Sequence, residues 1–276
     1  MSERRWKSLL KYLGACFLLI FCLLPFFWMV VVSFSRNPDF LSLHTPFVFT
    51  LQNYVEILTR KSVHLLHYLK NSLIISALSA LVATFFASLA AYAITRLHFP
   101  GRVIIPVFML AFSMFPQISM VGYLFKLMTP LHWINTYQAL IFPYITIGLP
   151  LALWIMLSYF SQLSTDLDNA ALVDGATRFQ VLRKIIFPVA LPGALSTLLL
   201  IFIYSFNEFL FALMLTIDYN ARTVPVGISL FEGLHGQVPW GHIMASAVIA
   251  TIPVVVLAAI FQRHIIQGLT RGAIKG

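Results

Sequence analysis

Charge is what this sequence has least of. Of its 276 residues, 10% are Asp, Glu, Lys or Arg and 60% are hydrophobic, whereas a soluble domain carries about 25% charged residues. So few charges cannot cover a globular surface. A water-soluble fold of this composition would expose apolar patches well beyond the few hundred Å² usual for monomers. A soluble enzyme is excluded on that ground. The chain reads as an all-α integral membrane protein, to be counted in spans of about 20 residues each.

Acids are scarcer still, nine against eighteen bases, for a net charge of +9. The bases are scattered as short flanks of apolar runs. A nucleic-acid groove needs them clustered on a solvated face, so nucleic acid is set aside as a partner. Cysteine is nearly absent. Cys16 and Cys22 would point to different faces of one helix and cannot pair locally, so they read as apolar fillers. Motifs are missing too: no G-x-x-x-x-G-K-[ST], no H-E-x-x-H and no G-x-S-x-G occurs. No catalytic residue and no standard ATP site is expected in this chain, and any energy for transport has to come from another subunit or an ion gradient. His64 and His67 read as an i, i+3 pair on a helix in an outer loop. Without a third ligand they are taken as solvated, and no metal site is expected.

What is present is a series of long apolar runs. Residues 1–11 form a basic N-terminus. The run 12–34 has no small-residue cleavage site and reads as an uncleaved first span. Five more spans are expected at 71–95, 103–128, 138–160, 192–217 and 241–261. Pro116, Pro143, Pro150, Asn207 and Pro253 fall inside them, which is tolerated where neighbouring helices satisfy the freed backbone groups. With both termini placed in the cytoplasm, twelve bases lie inside: Arg4, Arg5, Lys7, Lys11, Arg96, Arg102, Arg178, Arg183, Lys184, Arg263, Arg271 and Lys275. Six lie outside: Arg36, Arg60, Lys61, Lys70, Lys126 and Arg222. That asymmetry favours an N-in, C-in topology. Trp28, Trp133 and Trp240 then fall near the outer interface, where indoles concentrate. His235, Trp240 and His242 cluster in the last outer loop and read as an interfacial anchor or a contact for a delivery protein. In the second span, Ala80, Thr84 and Ser88, with Ala83, Ala87 and Ala91, form stripes of small residues. Such stripes allow close helix packing, within the subunit or against another.

The inner segment 161–188 is the most informative. It holds three of the nine acids, Asp166, Asp168 and Asp174. Ser164 or Asp166 can cap a helix, and Asp168 suits its positive end. Leu167, Ala170, Ala171, Leu172 and Val173 then make a short helix with a smooth ridge, and Gly175 supplies a left-handed stop. Thr177 can cap a second short helix, and Pro188 and Pro192 are expected to bend the chain into the fifth span. A rigid helix lying across the membrane face and tied to a span is a lever.

This segment resembles the EAA loop of ABC-importer permeases, Glu-Ala-Ala, three residues, Gly, nine residues, Ile-x-Leu-Pro. Ala170, Ala171, Gly175 and Pro188 match, as does the triplet Asp174, Gly175, Ala176. The Glu position is Asn169 and the Leu position is Phe187. Asn53-Tyr54, Asn71-Ser72, Ala91-Tyr92-Ala93 with Arg96, Phe99-Pro100-Gly101, Asn207-Glu208-Phe209 and the tail 268–276 extend the resemblance over nearly the whole chain. It is similar to permeases of the carbohydrate (maltose-type) family, closest to the second, maltose-G-like, subunit.

The resemblance implies a type I ABC-importer transmembrane domain with six transmembrane helices, forming half of a translocation pathway for an oligosaccharide or disaccharide. A polyol or glycerol-phosphate compound is the alternative substrate, and a self-contained secondary transporter the alternative function. It implies a homologous second permease, two ATP-binding subunits that hold ATP and Mg, an extracytoplasmic solute-binding protein, and a place in the bacterial cytoplasmic (inner) membrane. The ATPase-coupling residues it points to are Asp166, Asp168, Asn169, Ala170, Ala171, Leu172, Asp174, Gly175, Ala176, Arg178 and Pro188. Within the spans, two further places are candidates for the pathway. Glu208 beside Asn207 is an intramembrane acid, either on the pathway or bonded within the bundle. Pro116 and Gln117 sit among aromatics, which fits sugar contacts or a plain proline kink.

Overall fold

The computed structural model describes residues 3–36, 48–60, 63–231 and 238–273. In chain order the helices are α1 (Glu3–Ser33), α2 (Gln52–Thr59), α3 (Leu65–Arg96), α4 (Ile104–Ser113), α5 (Gln117–Met128), α6 (Tyr137–Phe160), α7 (Asp166–Val173), α8 (Arg178–Val181), α9 (Phe187–Phe206), α10 (Leu210–Leu215), α11 (Val224–Ser229) and α12 (Trp240–Ala273). A π-turn, Leu182–Ile186, joins α8 to α9. No strand forms among the described residues, only an antiparallel bridge between Ser35 and Phe49. Among the described residues, five helices are long and apolar enough to cross a membrane, and six segments are reached when the bent pair α4–α5 is taken as one broken span.

The chain divides into two compact units. The first comprises Met1–Leu66 and Gly227–Ile252. Its α1 is apolar on every side beyond the basic first turns, from Tyr12 to Ser33, and only 6% of its span window is buried. A helix of that kind belongs in lipid or against another subunit. The end of α1 leaves orphan carbonyls, and Asn53 meets them: its amide nitrogen donates to the carbonyls of Ser33 (2.9 Å) and Ser35 (3.0 Å). The Ser33 and Tyr54 hydroxyls lie 2.7 Å apart, and Phe34 stacks on Phe49. A Cβ on Gly241 would come within 2.6 Å of the Asn53 amide, so the start of α12 can pass there only as glycine. Glu56 accepts from Gln52 (2.7 Å) and pairs with Arg60 (3.1 Å) and His242 (2.9 Å). Partial burial pushes its carboxyl up. The bonds from His242 and Gln52, with the charge of Arg60, outweigh this and hold it below its ordinary value. His242 thus belongs to a polar clasp; His235 lies outside the described residues.

The second unit comprises His67–Val226 and Pro253–Gly276. Its α3 carries the small-residue stripes, and Ala80, Ala83, Ala87 and Ala91 are fully buried, with Thr84 and Ser88 nearly so. The stripes therefore pack inside this unit. Helices α6 and α9 form its central pair. Gly193 of α9 lies so close to Tyr159 of α6 that a Cβ would meet the ring at 2.4 Å, and the Thr197 hydroxyl lies 3.3 Å from the Met156 sulfur. Asn135, with φ of 62°, bonds through its side chain to the Ile217 and Asp218 amides and to the Asp218 carboxylate. The bonds from Asn135 and from the Asn220 N–H hold that carboxyl below its ordinary value.

Several sequence expectations are revised. The helix expected over 192–217 starts earlier and stops earlier: the helical path runs Arg178–Phe206, breaks at 207–209 and resumes in α10. Pro188 and Pro192 do not interrupt it. Pro188 has no N–H, and its ring would press on the carbonyl four residues back, that of Lys184. Lys184 lies in the π-turn, whose wider register relieves that conflict. The run at 103–128 is broken at Met114–Pro116 with a 91° bend. His64 and His67 do not share a helix face. His64 has φ of 51° and precedes α3, while the His67 ring meets Tyr219 edge-on at 5.6 Å.

Candidate functional site

The segment expected to couple, 161–188, carries two consecutive end-caps, a left-handed turn after α7 and a capping box before α8. At the start of α7, the Ser164 hydroxyl accepts from the Asp166 N–H (3.1 Å) and lies 2.8 Å from the Asp166 carboxylate. The N-cap position is Thr165, whose side chain makes no capping bond, so neither expected residue takes that part and the Ser164–Asp166 contact is a local turn ahead of the helix. Asp166 and Asp168 both sit in the first turn, at the positive end of the helix. At the other end Gly175 has φ of +81°. The Ala176 N–H reaches the Ala171 carbonyl (3.0 Å) and the Gly175 N–H the Leu172 carbonyl (3.1 Å). This is a Schellman turn, which the expected left-handed glycine makes available. Two residues on, Thr177 and Gln180 form a reciprocal capping box that opens α8.

These caps split α7 into two faces. Asp166, Leu167, Asn169, Ala170, Val173 and Asp174 are exposed, with Val173 at 88%. Asp168 and Ala171 are buried, at 4% and 6%, and Leu172 is half-buried. Gly175, Arg178 and Pro188 are exposed and Ala176 is half-buried. The exposed side is a ridge of short and medium side chains with acids at both ends.

The burial of Asp168 has a cause that local sequence reasoning missed. Its carboxylate lies 2.9 Å from the Nε of Arg96, the last residue of α3, and both side chains are almost wholly buried. The Nη2 of Arg96 also donates to the Leu163 carbonyl at 2.8 Å. A signal was present: Asp168, Ala171 and Leu172 fall at i, i+3 and i+4, so the acid stands on the apolar stripe of α7.

The second candidate region is the pair of broken helices. Pro116 has ψ of 120° and caps α5; the residue before a proline is itself pushed out of the helical region. A cavity of about 300 Å³ opens beside the break, lined among others by Ser113, Phe115, Gln117, Pro150, Trp154 and Tyr204. The Gln117 amide nitrogen donates to the Tyr204 hydroxyl at 2.7 Å, which joins α5 to α9. The break at 207–209 is held differently. Glu208, 8% exposed, accepts from the N–H groups of Phe211 (2.8 Å) and Ala212 (3.2 Å). Its carboxylate therefore satisfies the orphan donors that open α10. Asn207 is exposed and its amide donates to the Ile203 carbonyl at 2.8 Å. Gln117 and Tyr204 come together; Asn207 and Glu208 do not line that cavity. Among the described residues, no group of three His, Cys, Asp or Glu could hold a metal ion.

Residues 83–271 match the family described as "Binding-protein-dependent transport system inner membrane component". The trehalose/maltose transport system permease protein MalG of Thermococcus litoralis is 55% identical over 279 residues, with all of both chains covered. The sulfoquinovosyl glycerol transport system permease protein SmoH of Agrobacterium fabrum is 34% identical, covering 97% of this chain and 94% of its own. The trehalose transport system permease protein SugB of Mycobacterium tuberculosis is 42% identical, covering 75% of this chain and 76% of its own. In fold, the chain is similar to a chain of a bacterial ABC transporter involved in the import of the acidic polysaccharide alginate. The TM-score is 0.76 at 20% identity, over 95% of this chain and 98% of that one.

Proposed function

The chain belongs to the family of binding-protein-dependent transport system inner membrane components, and on that premise we propose that it forms half of the pathway of an ATP-driven sugar importer in the cytoplasmic membrane, with α7 as the element that meets an ATPase subunit. The substrate in this reading is a disaccharide of the trehalose or maltose class. The observation that supports it is the full-length 55% identity to a trehalose/maltose permease; the relative named for sulfoquinovosyl glycerol is more distant, at 34%. A homologous permease, two ATPase subunits holding ATP and Mg, and an extracytoplasmic binding protein complete the assembly. The termini and α7 face the cytoplasm, in line with the distribution of basic residues.

The exposed ridge of α7 carries the coupling half of the proposal. Asn169, Ala170, Val173 and Asp174 are free to enter a groove on a partner, and the Schellman turn and capping box pass any push on α7 into the path leading to α9. Two rigid arrangements biased by nucleotide in the partner then give alternating access. In the pathway half, Gln117, with Tyr204 and Trp154, offers the sugar an amide and aromatic faces at the break that Pro116 creates. Asn207 stands at the second break, whose shape Glu208 fixes by capping α10.

The test is reconstitution of the chain with its second permease, ATPase and binding protein in liposomes. ATP-dependent uptake of radiolabelled trehalose or maltose is expected, with Gln117→Leu raising the KM. A cysteine at Ala170 is expected to crosslink to the ATPase. Uptake of sugar by the chain alone, or of a polyol but no disaccharide by the complex, overturns the corresponding half of the reading.

A further inference from the structure

We propose that Arg96 is a positioning residue for coupling: its guanidinium locks α7 to the C-terminal end of α3, so that a displacement of α7 drives α3 as well as α9. The proposal rests on the reading that α7 meets the ATPase, and goes beyond it by assigning a second output to that lever.

One side chain makes both attachments. Nε lies 2.9 Å from the Asp168 carboxylate in the first turn of α7, an ion pair by charge and distance without an aligned hydrogen bond, and Nη2 donates to the Leu163 carbonyl at 2.8 Å in the turn leading into it. Leu163 is 67 residues away in sequence, so no local segment could supply the link. The rigid fork of arginine suits two acceptors in different directions; the single ammonium of lysine does not. Tyr92, buried one turn earlier on the same face of α3, stands beside the same carboxylate, and the exposed Arg178 is a further cation near Tyr92. The Arg96 and Asp168 side chains are 5% and 6% exposed. Sliding α7 away from α3 would leave each charge buried without its partner, which a desolvated pair resists far more strongly than a surface pair.

The geometry also redistributes roles within α7. With Asp168 committed inward, it does not stand in for the glutamate that the family pattern has at Asn169. Contact with the ATPase falls to Asn169, Ala170, Val173 and Asp174. Without the Arg96 link, α7 keeps the apolar packing of Ala171 and Leu172 and the 161–165 turn after α6, but loses its polar attachment to the end of α3, and part of its motion would be absorbed in that turn.

The experiment uses the full importer in liposomes and reads ATP hydrolysed per sugar imported. The double substitution Arg96→Met with Asp168→Leu removes both charges together, which commonly leaves a fold intact. It is expected to assemble and to raise the ratio about tenfold, the size of a typical coupling free energy. Arg96→Lys keeps the charge but loses the reach to Leu163, and is expected to raise the ratio by a smaller factor. Wild-type stoichiometry in an assembled double variant overturns the proposal. So does a double variant that fails to assemble while Arg96→Lys retains the wild-type ratio, since the pair then serves folding alone. If the double variant fails to assemble and Arg96→Lys raises the ratio, the proposal stands on the second variant. Crosslinking of a cysteine at Ala170 to the ATPase, in wild-type and variant backgrounds, reports separately on docking: a crosslink with unchanged stoichiometry sinks this inference and leaves the docking reading intact.

Discussion

The hydroxyl of Tyr137 donates to Asn71 Oδ1 at 2.6 Å, and the amide nitrogen of the same Asn71 donates to the carbonyls of Tyr219 (2.9 Å) and Arg222 (3.0 Å). The neighbouring Ser72 hydroxyl accepts from the Val224 N–H at 2.8 Å. The start of the α3 span is thereby tied to α6 and to the segment between α10 and α11. Asn71→Leu leaves two carbonyls and a hydroxyl in part-buried surroundings without their partner; a fully buried group costs about 1–3 kcal/mol, and each of these costs less than that. A drop in the melting temperature of the detergent-purified complex is expected, and an unchanged melt would show that the knot carries no stability.

Contact between α6 and α9 sets a second prediction. Gly193→Ala places a methyl group 2.4 Å from the ring of Tyr159, and overpacking of this kind costs about 1–3 kcal/mol. Tyr159→Leu in the same chain is expected to recover part of that loss, because two touching residues couple. Thermal unfolding of the two single variants and the double measures the coupling.

Gly175 lies in open space with φ of +81°, so its constraint is backbone conformation and not room. Gly175→Leu is strained by about 1–2 kcal/mol and adds bulk at the end of the α7 ridge. The variant is expected to insert and assemble while uptake falls and binding-protein stimulation of ATP hydrolysis is lost. Gly175→Asn, which tolerates the left-handed region better, is expected to keep more of both. Wild-type uptake by Gly175→Leu in membranes would refute a coupling role for this turn.

The clasp on Glu56 makes stability depend on pH. A carboxyl held below its ordinary value contributes stability above that value and loses it as pH falls through the lowered one. Melting temperatures recorded downward from pH 7 are therefore expected to fall once the pH passes below about 4. Glu56→Gln is expected to flatten that part of the profile, since glutamine has no proton to gain there. An identical acid profile in the variant assigns the loss to other carboxylates.

Much of this arrangement was legible in local chemistry. The apolar runs mark the spans because a lipid-crossing segment must satisfy its own backbone. Gly175 and Thr177 announce the turn after α7, since a left-handed position and a capping hydroxyl each depend on a few neighbouring residues. Pro116 reads in sequence as a tolerated or kinking proline, and the 91° break at Met114–Pro116 was not expected from it. Less legible were features that depend on distant partners. Glu208 reads in sequence as an isolated intramembrane acid, and only the way the chain restarts at Leu210 turns it into a cap for the Phe211 and Ala212 amides. Pro188 reads as a bend, yet the π-turn before it lets the helix continue.

The sequence by itself determined the membrane class, the segments that span it, the short inner helix and the residues that end it, because hydropathy and end-capping act over a few residues. Tertiary structure alone decided which way each polar group is spent. It turned Asp168 inward to Arg96, joined Gln117 to Tyr204 and spread Asn71 over three partners. Each of these depends on polar atoms of segments remote in sequence arriving about 3 Å apart, and no local pattern specifies that.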